Sequence, residues 1–176
     1  MNGVKEKAYI QVYTGNGKGK TTAAIGLAVR AAGHGLFVYL GQFMKGQPYG
    51  ELRSLANIPE IEVEQYGDAS CIQREDVTKE HKQMAASGLE KIGRALGSGR
   101  YDVIILDEIN TAVWFGLVTV DEVLKLMASR PDGVEIILTG RYAPPEFIDL
   151  ADLVSEIKEI KHYYRQGVPA RDGIER

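Results

Sequence analysis

The sequence predicts an α/β protein with a mostly parallel central sheet and helices on both faces. Short runs rich in β-branched and other apolar residues recur along the chain, and stretches with helical spacing separate them. This alternation is typical of parallel strands joined by right-handed crossovers. At 176 residues with 44% hydrophobic residues, the chain can bury one core without disulfides or metals. We therefore expect a single domain over residues 1–176.

The first strand and helix flank a glycine-rich turn. Residues 1–8 are mostly polar, and we expect them to form a flexible arm. Residues 9–13 are short and contain β-branched residues, which predicts a buried strand. The spacing of small and apolar residues then predicts a helix over residues 20–32, which Gly33 and Gly35 end.

The middle of the chain alternates in the same way. Residues 36–40 are almost continuously apolar, as a strand covered on both faces requires, and residues 48–56 have room for one or two helical turns. Residues 61–66 alternate between apolar and polar, which predicts a more exposed strand. After a loop, Thr78 is positioned to cap a long helix that ends near Leu96.

The last third of the chain contains three further strand-forming runs, at residues 101–106, 134–138 and 153–161. Helices are expected between them. Thr119 and Glu122 form a capping box for the first helix, which runs to Ser129. Pro144 and Pro145 begin the second, which is short.

Composition narrows the classes of function. The formal charge of −3 does not favour nucleic acid or a membrane surface as a partner. The single cysteine, Cys71, cannot form an internal disulfide, and the start of the chain carries no apolar signal segment. No stretch reaches membrane-spanning length. Together these features predict a cytoplasmic protein.

Residues 14–22, Thr-Gly-Asn-Gly-Lys-Gly-Lys-Thr-Thr, lie between the first strand and the first helix. Their three glycines let backbone N–H groups converge at the helix start, which favours phosphate binding. In such a P-loop, Lys20 reaches the terminal phosphates and the Thr21 hydroxyl reaches a magnesium ion. The usual pattern has a glycine in place of Thr14, so either Thr14 substitutes or the loop begins at Gly15. A glycine-rich turn without a ligand is the alternative. The predicted fold is a RecA-like P-loop NTPase fold.

Two acids, Asp107 and Glu108, follow the strand at residues 101–106. Ligands of open α/β sheets lie outside the carboxyl ends of the strands, where the P-loop also emerges. Asp107 is therefore predicted to hold magnesium directly or through water. Glu108 would orient water in an ATP hydrolase, or bind the metal in a different transfer. Alternatively, both are exposed acids at a strand end.

The remaining candidate site residues have weaker sequence signals. Arg141 follows a predicted strand and is placed to face the ligand crevice, while Arg30 lies ten residues beyond Lys20 on the same helix. The alternative for Arg30 is a surface or interface arginine, and the alternative for Arg141 is an ordinary loop arginine. Trp114 and Phe115 could cover a large apolar ligand, although packing under the following helix is the more common use of such a pair. The three histidines are isolated and show no zinc-site spacing.

With these residues assembled, the chain resembles the P-loop type of ATP:corrinoid adenosyltransferases, the cob(I)alamin adenosyltransferases. The likeness is carried by blocks spread nearly end to end, at residues 14–22, 42–46, 106–110, 138–141, 151–156, 161–162 and 173–175.

The resemblance implies transfer of the 5′-deoxyadenosyl group of ATP to the cobalt of reduced cob(I)alamin or a related corrinoid, with release of triphosphate. It implies a reversed ATP, Mg²⁺ (or Mn²⁺), an electron-donating reductase and a homodimer. The implied catalytic residues are Lys20, Thr21 and Glu108, and the implied metal residues are Thr21, Asp107 and Glu108. The implied nucleotide-binding residues are Thr14, Gly15, Asn16, Gly17, Lys18, Gly19, Lys20, Thr21, Thr22, Arg30 and Arg141.

The chain departs from the better-known members of that family on the acceptor side. Their longer N-terminal arm helps to close the corrinoid site, and their Phe and Trp in the loop equivalent to residues 67–72 displace the lower axial ligand of cobalt. Here that loop has neither residue, so Tyr66, Trp114 and Phe115 are the candidates for that role. Tyr142 also replaces a glycine that is common in the family.

Two other functions remain open from the sequence. A RecA-like ATPase or nucleotide kinase would share the P-loop and release ADP or phosphorylate an acceptor. A non-catalytic corrinoid or nucleotide sensor would bind its ligands without forming a cobalt–carbon bond.

Overall fold

The structure is a computed structural model, and it describes residues 7–70 and 72–175. The strands are β1 (Ile10–Thr14), β2 (Val38–Phe43), β3 (Ile61–Tyr66), β4 (Val103–Asp107), β5 (Glu135–Thr139) and β6 (Leu153–Glu156). The helices are α1 (Lys20–Ala32), α2 (Gly50–Leu55), α3 (Lys79–Gly97), α4 (Ile109–Trp114), α5 (Val120–Ala128) and α6 (Pro145–Leu150). Most of the predicted arm and Cys71 lie outside the described residues.

The six strands form one sheet in the order β3-β2-β4-β5-β1-β6, and every neighbouring pair is parallel. Tyr13 of β1 pairs with Thr139 of β5, while Leu106 of β4 pairs with Leu138 of β5. The strand before the phosphate loop and the strand that carries the two acids therefore flank β5 and end level with each other. This topology brings distant parts of the chain to one edge of the sheet.

Two apolar clusters cover the two faces of the sheet. Ile104 belongs to one cluster and Ile105 to the other, as the two-residue period of a strand requires. Ala24 and Ala28 of α1 lie in the second cluster, and these small side chains let the helix approach β4 and β5 closely. On the other face α3 packs on β2 and β3. The predicted α/β class, with helices on both faces, is confirmed.

The structure differs from the sequence predictions in three elements. Helix α4 was not predicted, because it begins one residue after a strand and its six residues are too few to show a periodic pattern. Strand β2 runs on to Phe43, so it includes the polar and fully buried Gln42. The last strand ends at Glu156 rather than at residue 161. No helix within the described residues is long and apolar enough to cross a membrane.

Candidate active site

The carboxyl ends of the strands open into a cleft of about 1030 Å³. Its walls come from the phosphate loop, α2, the segments after β4 and β5, and the C-terminal segment. Three non-glycine residues of the described chain have a positive φ, namely Met44 (58°), Glu108 (60°) and Tyr142 (58°). Each lies within three residues of the carboxyl end of β2, β4 or β5. Such backbone strain is concentrated at functional sites.

The phosphate loop is packed against the chain that follows β6. The N–H of Gly17 donates to the carbonyl oxygen of Ile157 at 2.8 Å. A Cβ atom at Gly15 would collide with that carbonyl, and one at Gly17 would lie 2.8 Å from it. Side chains at these two positions would therefore push the loop away from Ile157, which explains the glycines on packing grounds as well as on backbone grounds.

Lys20, the first residue of α1, folds back into the loop and is only 6% exposed. Its Nζ donates to the carbonyl oxygens of Gly15 at 2.8 Å and Gly17 at 2.7 Å. Burial lowers the pKa of the Lys20 ammonium, and the nearby Glu108 carboxylate partly opposes this effect. The ammonium thus lies at the centre of the loop, with weakly basic carbonyls as its partners.

Asp107, at the end of β4, is fully buried and accepts four hydrogen bonds. Its Oδ1 accepts from the hydroxyls of Thr21 (2.8 Å) and Thr139 (2.6 Å). Its Oδ2 accepts from Lys45 Nζ (2.8 Å) and Gln42 Nε2 (3.3 Å). A carboxylate offers about four acceptor positions, so all of those of Asp107 are used within the protein. Asp107 therefore ties α1, β2 and β5 together at the base of the cleft.

Lys45, two residues beyond β2, was not predicted as a site residue. Burial lowers its pKa, but the charge and hydrogen bond of Asp107 outweigh burial, so the pKa is raised overall. It also lies 3.9 Å from Glu51 of α2 and lines the cleft. The available signal was its position just past a buried strand. Lysine at such a position is also common on protein surfaces.

Glu108 precedes α4 in the left-handed conformation and is partly exposed to the cleft. Thr111 donates from its hydroxyl to Oε2 of Glu108 at 2.6 Å and accepts from the N–H of Arg141 at 3.1 Å. Within the described part of the chain, no donor reaches Oε1 of Glu108. The two acids thus differ, because Asp107 is saturated and Glu108 keeps an oxygen available to a ligand.

The structure brings most of the predicted site residues to the cleft. The lining residues among them are Asn16, Gly17, Lys18, Gly19, Lys20, Thr21, Thr22, Glu108 and Arg141. Thr14 and Gly15 lie behind this surface, and the Thr14 hydroxyl accepts from the N–H of Ala143 at 3.4 Å. Arg30 is exposed in the last turn of α1, outside the cleft lining, and its charge acts on Tyr13, whose pKa burial raises and Arg30 lowers.

The C-terminal segment forms one wall of the cleft, a role that the sequence analysis did not predict. Lys18 Nζ donates to the carbonyl oxygen of Ile174 at 3.0 Å and lies 3.9 Å from Glu175. Arg171 and the Tyr163 hydroxyl both donate to the Glu175 carboxylate. These hydrogen bonds lower the pKa of Glu175 to about 2. The segment is therefore held against the phosphate loop by polar contacts.

A glycine loop between a strand and a helix, a lysine at its centre, and a threonine bonded to an acid on a nearby strand define the class of P-loop nucleotide-binding proteins. The sequence also identifies the family within that class. The model of the family "ATP:corrinoid adenosyltransferase BtuR/CobO/CobP" matches residues 6–176, and the chain belongs to this family.

Proteins named as corrinoid adenosyltransferases are similar to this chain over most of its length. The chain is 38% identical over 173 residues to the corrinoid adenosyltransferase CobA of Salmonella typhimurium. The matched residues cover 97% of this chain and 87% of that protein. It is 37% identical to the corrinoid adenosyltransferase of Escherichia coli K12 over 97% of this chain and 86% of that protein. The Pseudomonas aeruginosa corrinoid adenosyltransferase is 32% identical over 97% of this chain and 84% of its own length.

Proposed function

We propose that the protein is a corrinoid adenosyltransferase that moves the 5′-deoxyadenosyl group of ATP to the cobalt of cob(I)alamin or a related corrinoid and releases triphosphate. The observation that carries the proposal is the bonded arrangement of Lys20, Thr21 and Asp107 within a chain that matches the family over residues 6–176. A triphosphate-sized leaving group fits such a cradle.

The bonds and electrons of the transfer balance without the movement of a proton. The cobalt(I) electron pair forms the bond to the 5′ carbon, and the carbon–oxygen bond to triphosphate breaks with its electrons on the leaving group. Cobalt is thereby oxidised formally to cobalt(III). Because no proton is moved, the protein needs no general base. Its tasks are to align cobalt with the carbon, to neutralise the triphosphate and to exclude water.

Neutralisation of the leaving group falls to the phosphate loop. Lys20 Nζ now donates to two loop carbonyls, and phosphate oxygens are stronger acceptors at the same place. Asn16 accepts the Glu159 N–H at its Oδ1, at 3.1 Å, which leaves its amide N–H₂ to donate. Lys18, Thr22 and Arg141 add donors around the cleft. Arg30 lies outside the cleft lining, so a contact with the nucleotide requires the ligand to extend beyond this cleft.

The residues present also fit a divalent cation, Mg²⁺ or Mn²⁺. The described residues contain no group of three or more His, Cys, Asp or Glu that could hold a metal by themselves, so substrate oxygens would complete the coordination. Thr21 gives its proton to Asp107 and keeps its oxygen lone pairs, and Glu108 keeps Oε1. When bound, the cation supplies positive charge that stabilises the departing triphosphate. Asp107 supports it indirectly by orienting Thr21.

Two further parts of the proposal rest on the family: a reductase supplies the electrons that produce cobalt(I), and the protein acts as a homodimer. A cytoplasmic location is also proposed, and its support is the composition of the chain.

The deciding experiment is a product assay. Purified protein, ATP, Mg²⁺ and chemically reduced cobalamin are mixed without oxygen, and the light-sensitive alkylcobalamin and triphosphate are quantified together. Equal amounts of the two products are expected. Formation of ADP and phosphate instead would reject the proposal in favour of an ATPase or kinase, and binding of both ligands without product would indicate a sensor.

A further inference from the structure

Trp114 and Tyr142 stack on each other at the mouth of the cleft. Their ring centroids are 4.3 Å apart with an angle of 26° between the rings. Both line the cleft, and they are 37% and 55% exposed. Trp114 ends α4, and Tyr142 lies three residues beyond β5. We call these two rings the aromatic stack.

Core packing does not account for the aromatic stack. Neither ring belongs to the two apolar clusters, whereas the neighbouring Phe115 packs against one of them. Tyr142 also adopts a φ of 58°, a conformation that is unfavourable for a residue with a Cβ. An exposed aromatic ring on a strained backbone is a surface that a ligand can use.

The loop between β3 and α3 reaches the same place. The guanidinium of Arg74 lies 4.7 Å from the centroid of the Trp114 ring. Tyr66, the other aromatic residue near this loop, is excluded from a ligand role, because it is only 6% exposed and its hydroxyl is bonded to that of Tyr39. Arg74 and the aromatic stack therefore form one surface from three separate segments.

The aromatic stack lies close to the reacting groups. Trp114 is one helical turn beyond Thr111, the residue that orients Glu108. Tyr142 directly follows Arg141, whose N–H is bonded to Thr111. A flat substrate packed on the stack would therefore border the metal and phosphate side of the cleft.

We propose that the aromatic stack is the surface on which the corrinoid macrocycle packs during transfer, with Arg74 donating hydrogen bonds to amide oxygens at the rim of the macrocycle. This inference rests on the proposed function. A corrin ring is broad, flat and conjugated, and its rim carries amide side chains. Aromatic faces and a guanidinium match these two chemistries.

The first test is kinetic and uses Tyr142→Gly, because this change removes the ring and relieves the backbone strain, so loss of the fold does not confound it. We expect the corrinoid KM to rise about tenfold while the ATP KM stays within about twofold of the wild-type value. Trp114→Ala is expected to act in the same direction. Tyr9→Ala is the matched control, because Tyr9 is 42% exposed and directly precedes β1, at the end of that strand away from the cleft.

The outcomes separate this inference from the function on which it rests. If the wild type forms no alkylcobalamin, the proposed function fails. If the wild type is active and both variants keep the corrinoid KM within about twofold, the role of the aromatic stack is rejected. A rise in the ATP KM alone would also reject it, and would assign the stack to adenine.

A binding experiment adds a direct readout, since Trp114 is the only tryptophan of the chain. Corrinoids absorb in the region where tryptophan emits, so cob(II)alamin added to protein with ATP and Mg²⁺ should quench the emission to a saturating level. In Tyr142→Gly the half-saturating concentration should rise about tenfold. Quenching equal to that of free N-acetyltryptophanamide, in an active wild-type enzyme, would contradict contact with the stack.

Discussion

The Thr21 hydroxyl donates to Oδ1 of Asp107 at 2.8 Å and thereby joins the phosphate loop to the end of β4. Residues 86 positions apart in the sequence meet here because β1 and β4 flank β5 in the sheet. The bond orients the threonine oxygen toward the cleft. In the proposed function, this hydroxyl oxygen is therefore already oriented toward a metal ion before the nucleotide binds.

Lys20→Ala should lower kcat by about 10²- to 10³-fold, because it removes the buried cation that faces the leaving group. The fold should persist, since Lys20 bonds only to two loop carbonyls. Triphosphate release gives the rate and circular dichroism gives the fold. Lys82→Ala, an exposed change on α3, is the control. Wild-type kcat in Lys20→Ala would contradict the phosphate role.

Asp107→Asn should lower the free energy of unfolding by about 3 kcal/mol, because it leaves Lys45 without its buried partner charge. Urea denaturation measures the effect. Lys45→Met in the same background should restore part of the loss, and the double-mutant cycle gives the interaction. Asp149→Asn, exposed on α6, should be neutral. Equal losses with and without Lys45 would show that the ion pair is not the cause.

Thr111→Val should raise the Mg²⁺ concentration for half-maximal activity about tenfold, because Glu108 loses the donor that orients it. Thr111→Ser keeps the hydroxyl and should keep the wild-type Mg²⁺ dependence. An effect confined to melting temperature, with an unchanged Mg²⁺ dependence, would mean that Thr111 only supports the fold.

Glu175 should make stability depend on pH in the acid range. Its pKa is lowered from 4.5 to about 2 by Arg171 and Tyr163 in the folded state, so the folded carboxylate binds its proton less readily than the unfolded one. Its stabilising contribution is therefore full above about pH 4.5 and is lost as pH falls toward 2. The difference in unfolding free energy between the wild type and Glu175→Gln should shrink over that interval. A difference independent of pH would argue against the Glu175–Arg171 contact.

The fold, and the location of the glycine-rich loop between β1 and α1, could largely be predicted from the sequence. The apolar runs marked the strands, and the glycines, Lys20 and Thr21 marked the loop, because these are local patterns with a direct physical meaning. The roles of Asp107 and Lys45 were harder to separate. Asp107 is saturated by donors from three different elements, and such long-range contacts leave no spacing in the sequence.

The aromatic stack could not be predicted for a similar reason. Trp114 and Tyr142 are 28 positions apart and meet only through the packing of α4 beside β5, so the pair was not visible in either local pattern. A tryptophan at the end of a short helix more commonly packs into the core. Only its exposure, and its absence from both clusters, separates this one from that common case.

The hydrogen bond between Gly17 and Ile157 has a consequence for folding during synthesis of the chain. The phosphate loop is synthesised about 140 positions before Ile157, the residue whose carbonyl it is bonded to. The nascent chain therefore carries a complete nucleotide motif that has no partner to shape it. Nucleotide binding should begin only after β6 has been synthesised and has joined the edge of the sheet.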